Sequence, residues 1–267
     1  MGVFQEKGKL MLEIKNLSAG YGGPDVIHDI QLQADEGEML CIVGPNGCGK
    51  TTLLKSIARL LKYRGSVLLN SLDIAAVPRK ELAKKIAMLG QLSQIYFPYS
   101  VYDTVSLGRY AYSSGFLKNL SKEDEEIIND TINWLGLTGE KDRMITELSG
   151  GQLQRVFLAR TIVQNPDIIL LDEPTNHLDL KHQVELLHYL LKWARDNNKI
   201  VIGVLHDLNL VHTFGDKAAL MSEGKIAAHG KPEEVLDGET LKTIYDIDIK
   251  KFMIESLEKW KSAGEYT

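Results

Sequence analysis

The chain has 267 residues, 44% of them hydrophobic, and its 31 basic and 36 acidic side chains leave a net charge of −5. That length and apolar content suit one large α/β domain with room for a subdomain, and the negative balance argues against a nucleic-acid partner. The apolar runs fall far short of the roughly 18 residues a membrane span needs. Only two cysteines are present, Cys41 and Cys48, and they read as incidental thiols of a reducing compartment rather than a disulfide framework. With no secretory leader in view, the product is expected to be soluble and cytoplasmic, any membrane role coming through a partner.

Leu10–Leu17 alternates apolar and polar residues as a strand with one wet face does, and Tyr21-Gly22-Gly23-Pro24 follows as a turn. Val26–Ala34 and Glu38–Val43 read as strands around Glu36-Gly37. The second ends in a continuous apolar run, the mark of a buried parallel strand. Directly after it stands Gly44-Pro45-Asn46-Gly47-Cys48-Gly49-Lys50-Thr51, and then a helix with Leu54, Ile57, Ala58 and Leu61 on one face. Strand, glycine loop and helix is the order phosphate chemistry needs. Glycines let backbone N–H groups turn in around phosphate oxygens, and the helix N-terminus adds positive potential. Lys50 is placed to reach the β- and γ-phosphates and the Thr51 hydroxyl to ligate magnesium. Cys48, close to that helix N-terminus, is expected to favour thiolate.

Gly65–Leu69 and Asp73–Val77 read as short strands, Pro78 opens a helix to about Lys84, and Ile86–Leu89 is an apolar strand ending at Gly90-Gln91. Residues 92–163 read as a mostly helical insertion. Its first part concentrates seven aromatic residues: Tyr96, Phe97, Tyr99, Tyr102, Tyr110, Tyr112 and Phe116. Ser121 caps a helix with the acidic first turn Glu123-Asp124-Glu125-Glu126, which stops at Gly136. In Leu148-Ser149-Gly150-Gly151-Gln152, Ser149 and Gln152 fit a capping box. The glycine pair in that first turn also suits close approach of an anion to a helix end, and the residues alone leave both uses open.

Ile168–Leu171 is a buried strand closed by Asp172, with Glu173 next. A carboxylate at the C-terminal end of a parallel strand can hold the magnesium of a phosphate loop, and its neighbour can polarise water. Asp179 caps a helix with Val184, Leu187, Leu190, Leu191 and Ala194 inward, and Ile200–Leu205 is a buried strand ending at His206. Lys217–Met221 and Lys225–Ala228 form a hairpin around Glu223-Gly224, and short helices and a polar end follow Pro232. The expected fold is a P-loop sheet core with an antiparallel β-subdomain. Residues 1–91 and 164–254 form the nucleotide-binding part, 92–163 the helical subdomain and 255–267 a polar tail.

With these motifs in this order, the chain resembles the ATP-binding subunit of an ATP-binding-cassette (ABC) transporter over nearly its whole length. The resemblance implies ATP and Mg2+ as cofactors and an ATP-dependent homodimer. Tyr21 would stack on adenine, and Gly44 to Thr52 would cradle the phosphates. Thr51, Asp172 and Gln91 would hold magnesium; Gln91 is preferred to Gln94 because it directly ends its strand. Ser149, Gly150, Gly151 and Gln152 would close on ATP held by the opposite subunit, and Asp179 would link the two sites. Glu173, His206, Gln91 and Lys50 would be the catalytic set. Cys48 and Gly90 depart from commoner residues at their positions without threatening ATP binding. Pro174–Asp179, His206–Leu210 and Gly230–Leu236 are similar to importers of iron-siderophore, haem and cobalamin. Such importers imply permease subunits, a binding protein acting through them, and a place on the inner face of the membrane. Two other readings stand beside this one: a soluble ABC ATPase such as those of iron–sulfur cluster assembly, and a nucleotide-gated scaffold, which an intact Glu173 and His206 disfavour. The aromatic segment beside Gln91 is expected to line a groove from Tyr96 to Tyr112 that receives a helix of the permease.

Overall fold

The computed structural model describes residues 9–90, 98–112, 120–176 and 178–263. Its strands are β1 (Met11–Ala19), β2 (Ile27–Asp35), β3 (Met39–Val43), β4 (Tyr63–Leu69), β5 (Leu72–Asp73), β6 (Ile86–Leu89), β7 (Ile168–Asp172), β8 (Ile200–Val204), β9 (Lys217–Ser222) and β10 (Lys225–Gly230). They form an antiparallel sheet of order β2-β1-β4-β5 and a six-stranded sheet of order β10-β9-β3-β8-β7-β6, parallel except for β10. Register sets Ile42, Val204 and Asp172 level with one another, so the loops that follow β3, β7 and β8 leave the same edge of the sheet. That edge, beyond the carboxyl ends of parallel strands, is where open α/β sheets place ligands.

Alternation along the parallel strands builds two cores. From β3, Met39, Cys41 and Val43 face one side and Leu40 and Ile42 the other; β7 splits likewise into Ile169 and Leu171 against Ile168 and Leu170. The second side receives α1 (Lys50–Ile57), whose Leu53, Leu54 and Ile57 are fully buried beneath the antiparallel sheet. Truncating Leu54 to Ala there would cost about 2–5 kcal/mol. The other side is covered by helices named below.

After β5 the expected strand Asp73–Val77 is cut short. The Asp73 carboxylate accepts the Ala75 N–H and starts a 3-10 turn at Ile74–Ala76, a local hydrogen bond that competes with the ladder. A short α2 (Arg79–Leu82) follows, with Pro78 just before it. The described residues between 98 and 163 form three helices, α3 (Val101–Ser106), α4 (Lys122–Trp134) and α5 (Gly150–Val163). Ser121 and Asp124 form a capping box on α4, which ends before Gly136 at φ +65°. Asp124 also meets the buried Arg109 at 2.6 Å. Burial pushes its carboxyl up, yet the bonds from Ser121 and Arg109 outweigh that and hold it below the ordinary carboxylate range. Gln164, just past α5, donates to the Ile86 carbonyl at 3.2 Å and so ties the helices to β6.

The chain then builds α6 (Leu180–Asp196), α7 (Leu208–Phe214), α8 (Pro232–Val235), α9 (Gly238–Tyr245) and α10 (Ile249–Ala263). On α6 the inward face is Leu186, Leu187, Leu190, Leu191 and Ala194, with Val184 only half-buried at its margin. The polar tail expected from residue 255 lies instead largely within α10, because Ile249, Met253, Leu257 and Trp260 recur every three to four residues and carry the helix on. Ile249 and Met253 pack on the core, while Trp260 is 74% exposed. Among the described residues no helix is long and apolar enough to cross a membrane.

Candidate active site

The loop after β3 is shaped by its glycines. Gly47 and Gly49 take φ +82° and +104°, a region that penalises any Cβ. Gly44 leaves no room for a side chain, since a Cβ would overlap the Met221 carbonyl oxygen and lie 2.9 Å from Cys48 Sγ. At Gly49 a Cβ would come within 2.5 Å of Ile27. The buried Lys50 folds back over this loop and donates from Nζ to the carbonyls of Gly44 at 2.8 Å and Pro45 at 2.9 Å. Its ammonium is thereby held at the loop mouth by weak acceptors that an anion can replace. Pro45 and Asn46 complete the loop, Asn46 on the exposed side.

Thr51, in the first turn of α1, donates its hydroxyl to Asp172 Oδ1 at 2.9 Å, joining residues 121 positions apart. Burial pushes the Asp172 carboxyl above its ordinary range; the neighbouring Glu173 adds to this and the Thr51 bond opposes it. The positive charges of Lys55 and Lys50 offset this only in part. A hydroxyl and a carboxylate side by side are hard oxygen donors, the chemistry that suits magnesium. Glu173 turns out of β7 at φ +54°. Its Oε1 stands 2.7 Å from Nε2 of His206, which follows β8, and its Oε2 accepts from the Asn176 side chain. A carboxylate held between an imidazole and an amide, next to Asp172, can bind and deprotonate a water.

Tyr21 is 60% exposed beyond β1 and borders an open cleft of about 560 Å³ with Leu60, Tyr63 and Arg64. The Thr52 hydroxyl lies 3.4 Å from the Tyr21 hydroxyl, which places the ring at the flank of α1. These groups therefore converge: Tyr21, Lys50, Thr51 and Thr52 from one segment, Asp172 and Glu173 from a second, His206 from a third. Gln91 and Gln94 lie outside the described residues.

Ser149, Gly150, Gly151 and Gln152 do not join them. The capping box is formed, with the Ser149 N–H donating to Gln152 Oε1 at 3.0 Å and Gln152 N–H to Ser149 Oγ at 3.3 Å. Among the described residues no hydrogen bond or ion pair links this helix end to the phosphate loop. Ser149 and Gly150 face solvent. Asp179, also exposed, caps α6 through the His182 N–H at 2.9 Å. Both elements are nonetheless fixed to the loop after β7. Buried Gln154 donates to the Pro174 carbonyl at 2.9 Å, and Gln183 bridges the carbonyls of Thr175 and Leu178 at 3.1 Å each. Neither glutamine, nor Asn176 as the partner of Glu173, follows from sequence reasoning. The available signals were a polar residue on the inward face of α5 and an Asn three residues after Glu173.

The thiol expectation at Cys48 fails. Burial pushes it up, and the nearby Lys50 charge offsets this only in part; Cys41, on buried β3, is pushed up to about 12. Of the aromatic segment, Tyr96, Phe97 and Phe116 lie outside the described residues. Tyr99 and Tyr110 are exposed, at 46% and 58%, and with Tyr102 and Leu107 line a cleft of about 530 Å³. Tyr102 packs on the core, and Tyr112 donates to the Gln164 carbonyl at 3.0 Å beneath the Arg109 guanidinium. Those two rings serve the interior as well as any groove.

The sequence pattern of the family described as ABC transporter matches residues 27–176. The chain is 38% identical over 240 residues to the petrobactin import ATP-binding protein YclP of Bacillus subtilis, covering 90% of this chain and 94% of that one. It is 39% identical over 237 residues to the achromobactin transport ATP-binding protein CbrD of Dickeya dadantii, covering 88% of each. Among solved structures it is similar to an inward-facing ABC transporter assigned to the metal-chelate type, with TM-score 0.79, 28% identity and 90% of each chain covered. By its match over more than half its length, and by relatives of this identity, the chain belongs to the ABC transporter family.

Proposed function

We propose that this chain is the ATP-hydrolysing subunit of an importer for a metal chelate, of the iron-siderophore, haem or cobalamin kind. The observation that carries hydrolysis is the convergence of Lys50, Thr51, Asp172, Glu173 and His206 at one edge of the parallel sheet. The substrate class is supported by the relatives, whose names refer to petrobactin and achromobactin, and by the metal-chelate transporter structure. Thr51 and Asp172, with Gln91, would hold magnesium, which offsets phosphate charge when bound. Glu173 is the general base, His206 orients the water and the γ-phosphate, and Tyr21 stacks on adenine.

The site is completed by a second copy of the chain. A two-fold interface is self-complementary, so each ATP lies between one subunit's phosphate loop and the other's Ser149–Gln152 helix end, with Asp179 linking the two sites. The exposure of that helix end, and its lack of a bond to the loop of its own chain, support this reading. Residues 92–163 act as a helical subdomain within the nucleotide-binding core. A groove that includes the Tyr99–Tyr110 cleft receives a permease helix, which puts the dimer on the inner face of the membrane. A substrate-binding protein acts through the permease. The deciding experiment is steady-state ATPase of Glu173→Gln beside nucleotide binding: turnover is lost and binding kept if the assignment holds, whereas normal turnover overturns it. Co-purification with a polytopic membrane protein separates import from soluble cluster assembly.

A further inference from the structure

Gly151 is buried in the first turn of α5, and a Cβ placed on it would lie 2.5 Å from Nε2 and 2.8 Å from Cγ of His182. The imidazole therefore occupies the space in which any other residue at 151 would put its side chain. Its opposite edge is held as well: Nδ1 stands 2.7 Å from Asp179 Oδ1, the oxygen that also accepts the His182 backbone N–H. A carboxylate can only accept, so Nδ1 carries the proton. The Asp179 carboxyl is held below its ordinary range, first by that backbone N–H and then by the ring. Capping α6 needs only the backbone bond. The ring adds a bridge from the Asp179 turn to the glycine pair at the start of α5.

We propose that His182 is a positioning residue, its imidazole splinting the Asp179 turn to the Gly150-Gly151 end of α5 so that the two move as one body. Gln154 and Gln183 tie α5 and α6 to the loop after β7, but the ring is the tie that reaches the glycine pair itself. The splint rests on the dimer reading for its function. Helix end and Asp179 of one chain both face the other chain's nucleotide, and a fixed spacing between them makes closure over that nucleotide a single event. It does not touch the phosphate loop or the Tyr21 cleft that bind ATP to the chain's own side. Its loss should therefore lower kcat and spare KM.

Thermal unfolding of the nucleotide-free protein tests the contact by a double-mutant cycle of Gly151→Ala and His182→Ala. Gly151→Ala should lower Tm in the parent and lose at least half of that effect when His182 is Ala. Equal shifts in both backgrounds would overturn the contact. Should Gly151→Ala fail to fold, the Gly151 Hα chemical shifts replace it, since removing an aromatic ring beside them must move them; unchanged shifts would overturn the contact too. In ATPase assays His182→Ala should lower kcat by about tenfold with KM nearly unchanged, the scale of a small misplacement at a reacting centre. His182→Asn, which keeps a donor for Asp179 and loses the ring edge against Gly151, should remain slow. Parent-like kcat in either variant would overturn the positioning role. Normal hydrolysis by Ser149→Arg would instead overturn the dimer reading and leave the unfolding cycle standing.

Discussion

The phosphate loop and the start of α5 are both glycine-rich helix N-termini, yet the protein treats them in opposite ways. At the loop Gly44 and Gly49 are enclosed, Lys50 is buried over the carbonyls of Gly44 and Pro45, and Thr51 is bonded to Asp172 from another strand. At the start of α5, Ser149 and Gly150 are exposed, and the capping box satisfies itself. The first is a half-site finished within one chain. The second is fixed in place from behind, through Gln154 and His182, and its front is exposed, as the proposed dimer requires. A pre-ordered helix end with an exposed front is what a composite site needs, because ordering costs have been met before the partner arrives.

Substitutions at the two ends should break this comparison in different ways, and the largest effect is expected between them. Glu173→Gln keeps the shape of the side chain and its neighbours His206 and Asn176 but removes the base, so turnover should fall by ~10² or more while ATP binding persists. Steady-state hydrolysis with a fluorescent-nucleotide titration checks both halves. Ser149→Arg should leave ATP binding by the monomer intact and remove turnover. Mixed with Lys50→Ala, it should regain at most one working site per pair, measured as hydrolysis of the mixture against either variant alone.

The loop end is sharpened by Asp172. Its folded-state pKa is raised, so the native chain holds more protons than the unfolded chain between the ordinary carboxylate pKa and the raised value. Stability contributed by this group is therefore lost as pH rises through that window, and at neutral pH its ionised form is a cost. Asp172→Asn should raise the Tm of the nucleotide-free protein, since it removes the ionised form that burial disfavours. The same variant should lose the additional stabilisation by Mg-ATP. Calorimetry with and without Mg-ATP measures both. A smaller effect is expected at the partner face, where Tyr99→Ala with Tyr110→Ala should leave Tm and basal ATPase near the parent and weaken assembly with the permease. Smallest of all is the thiol. With burial holding its pKa up, Cys48 should alkylate slowly even without nucleotide, and Mg-ATP should slow it further.

Much of the enclosed half was legible in the sequence, because its signals are local and redundant. An apolar run before Gly44, glycines at positive φ, and an acidic pair closing Ile168–Leu171 each point to one backbone outcome. The strand at Ile86–Leu89, the cap at Ser121 and the capping box at Ser149 were legible for the same reason. What stayed hidden depends on distant partners. Nothing near Gln154 or His182 in the chain says that the one meets a carbonyl and the other a glycine elsewhere. Asp73 misled because an acidic side chain at a strand end can turn the backbone instead of extending it. Cys48 misled because its burial outweighs the helix terminus. The aromatic segment mixed two roles: Tyr112 reaches inward to Gln164 while Tyr99 and Tyr110 stay out.

The central claim, that one chain holds the front of its neighbour's site, is tested most directly by sedimentation velocity of Glu173→Gln with Mg-ATP, run beside Glu173→Gln combined with Ser149→Arg. The account predicts an ATP-dependent dimer for the first and a monomer that still binds ATP for the second. Dimers from both, or a monomer from Glu173→Gln alone at saturating ATP, would contradict it.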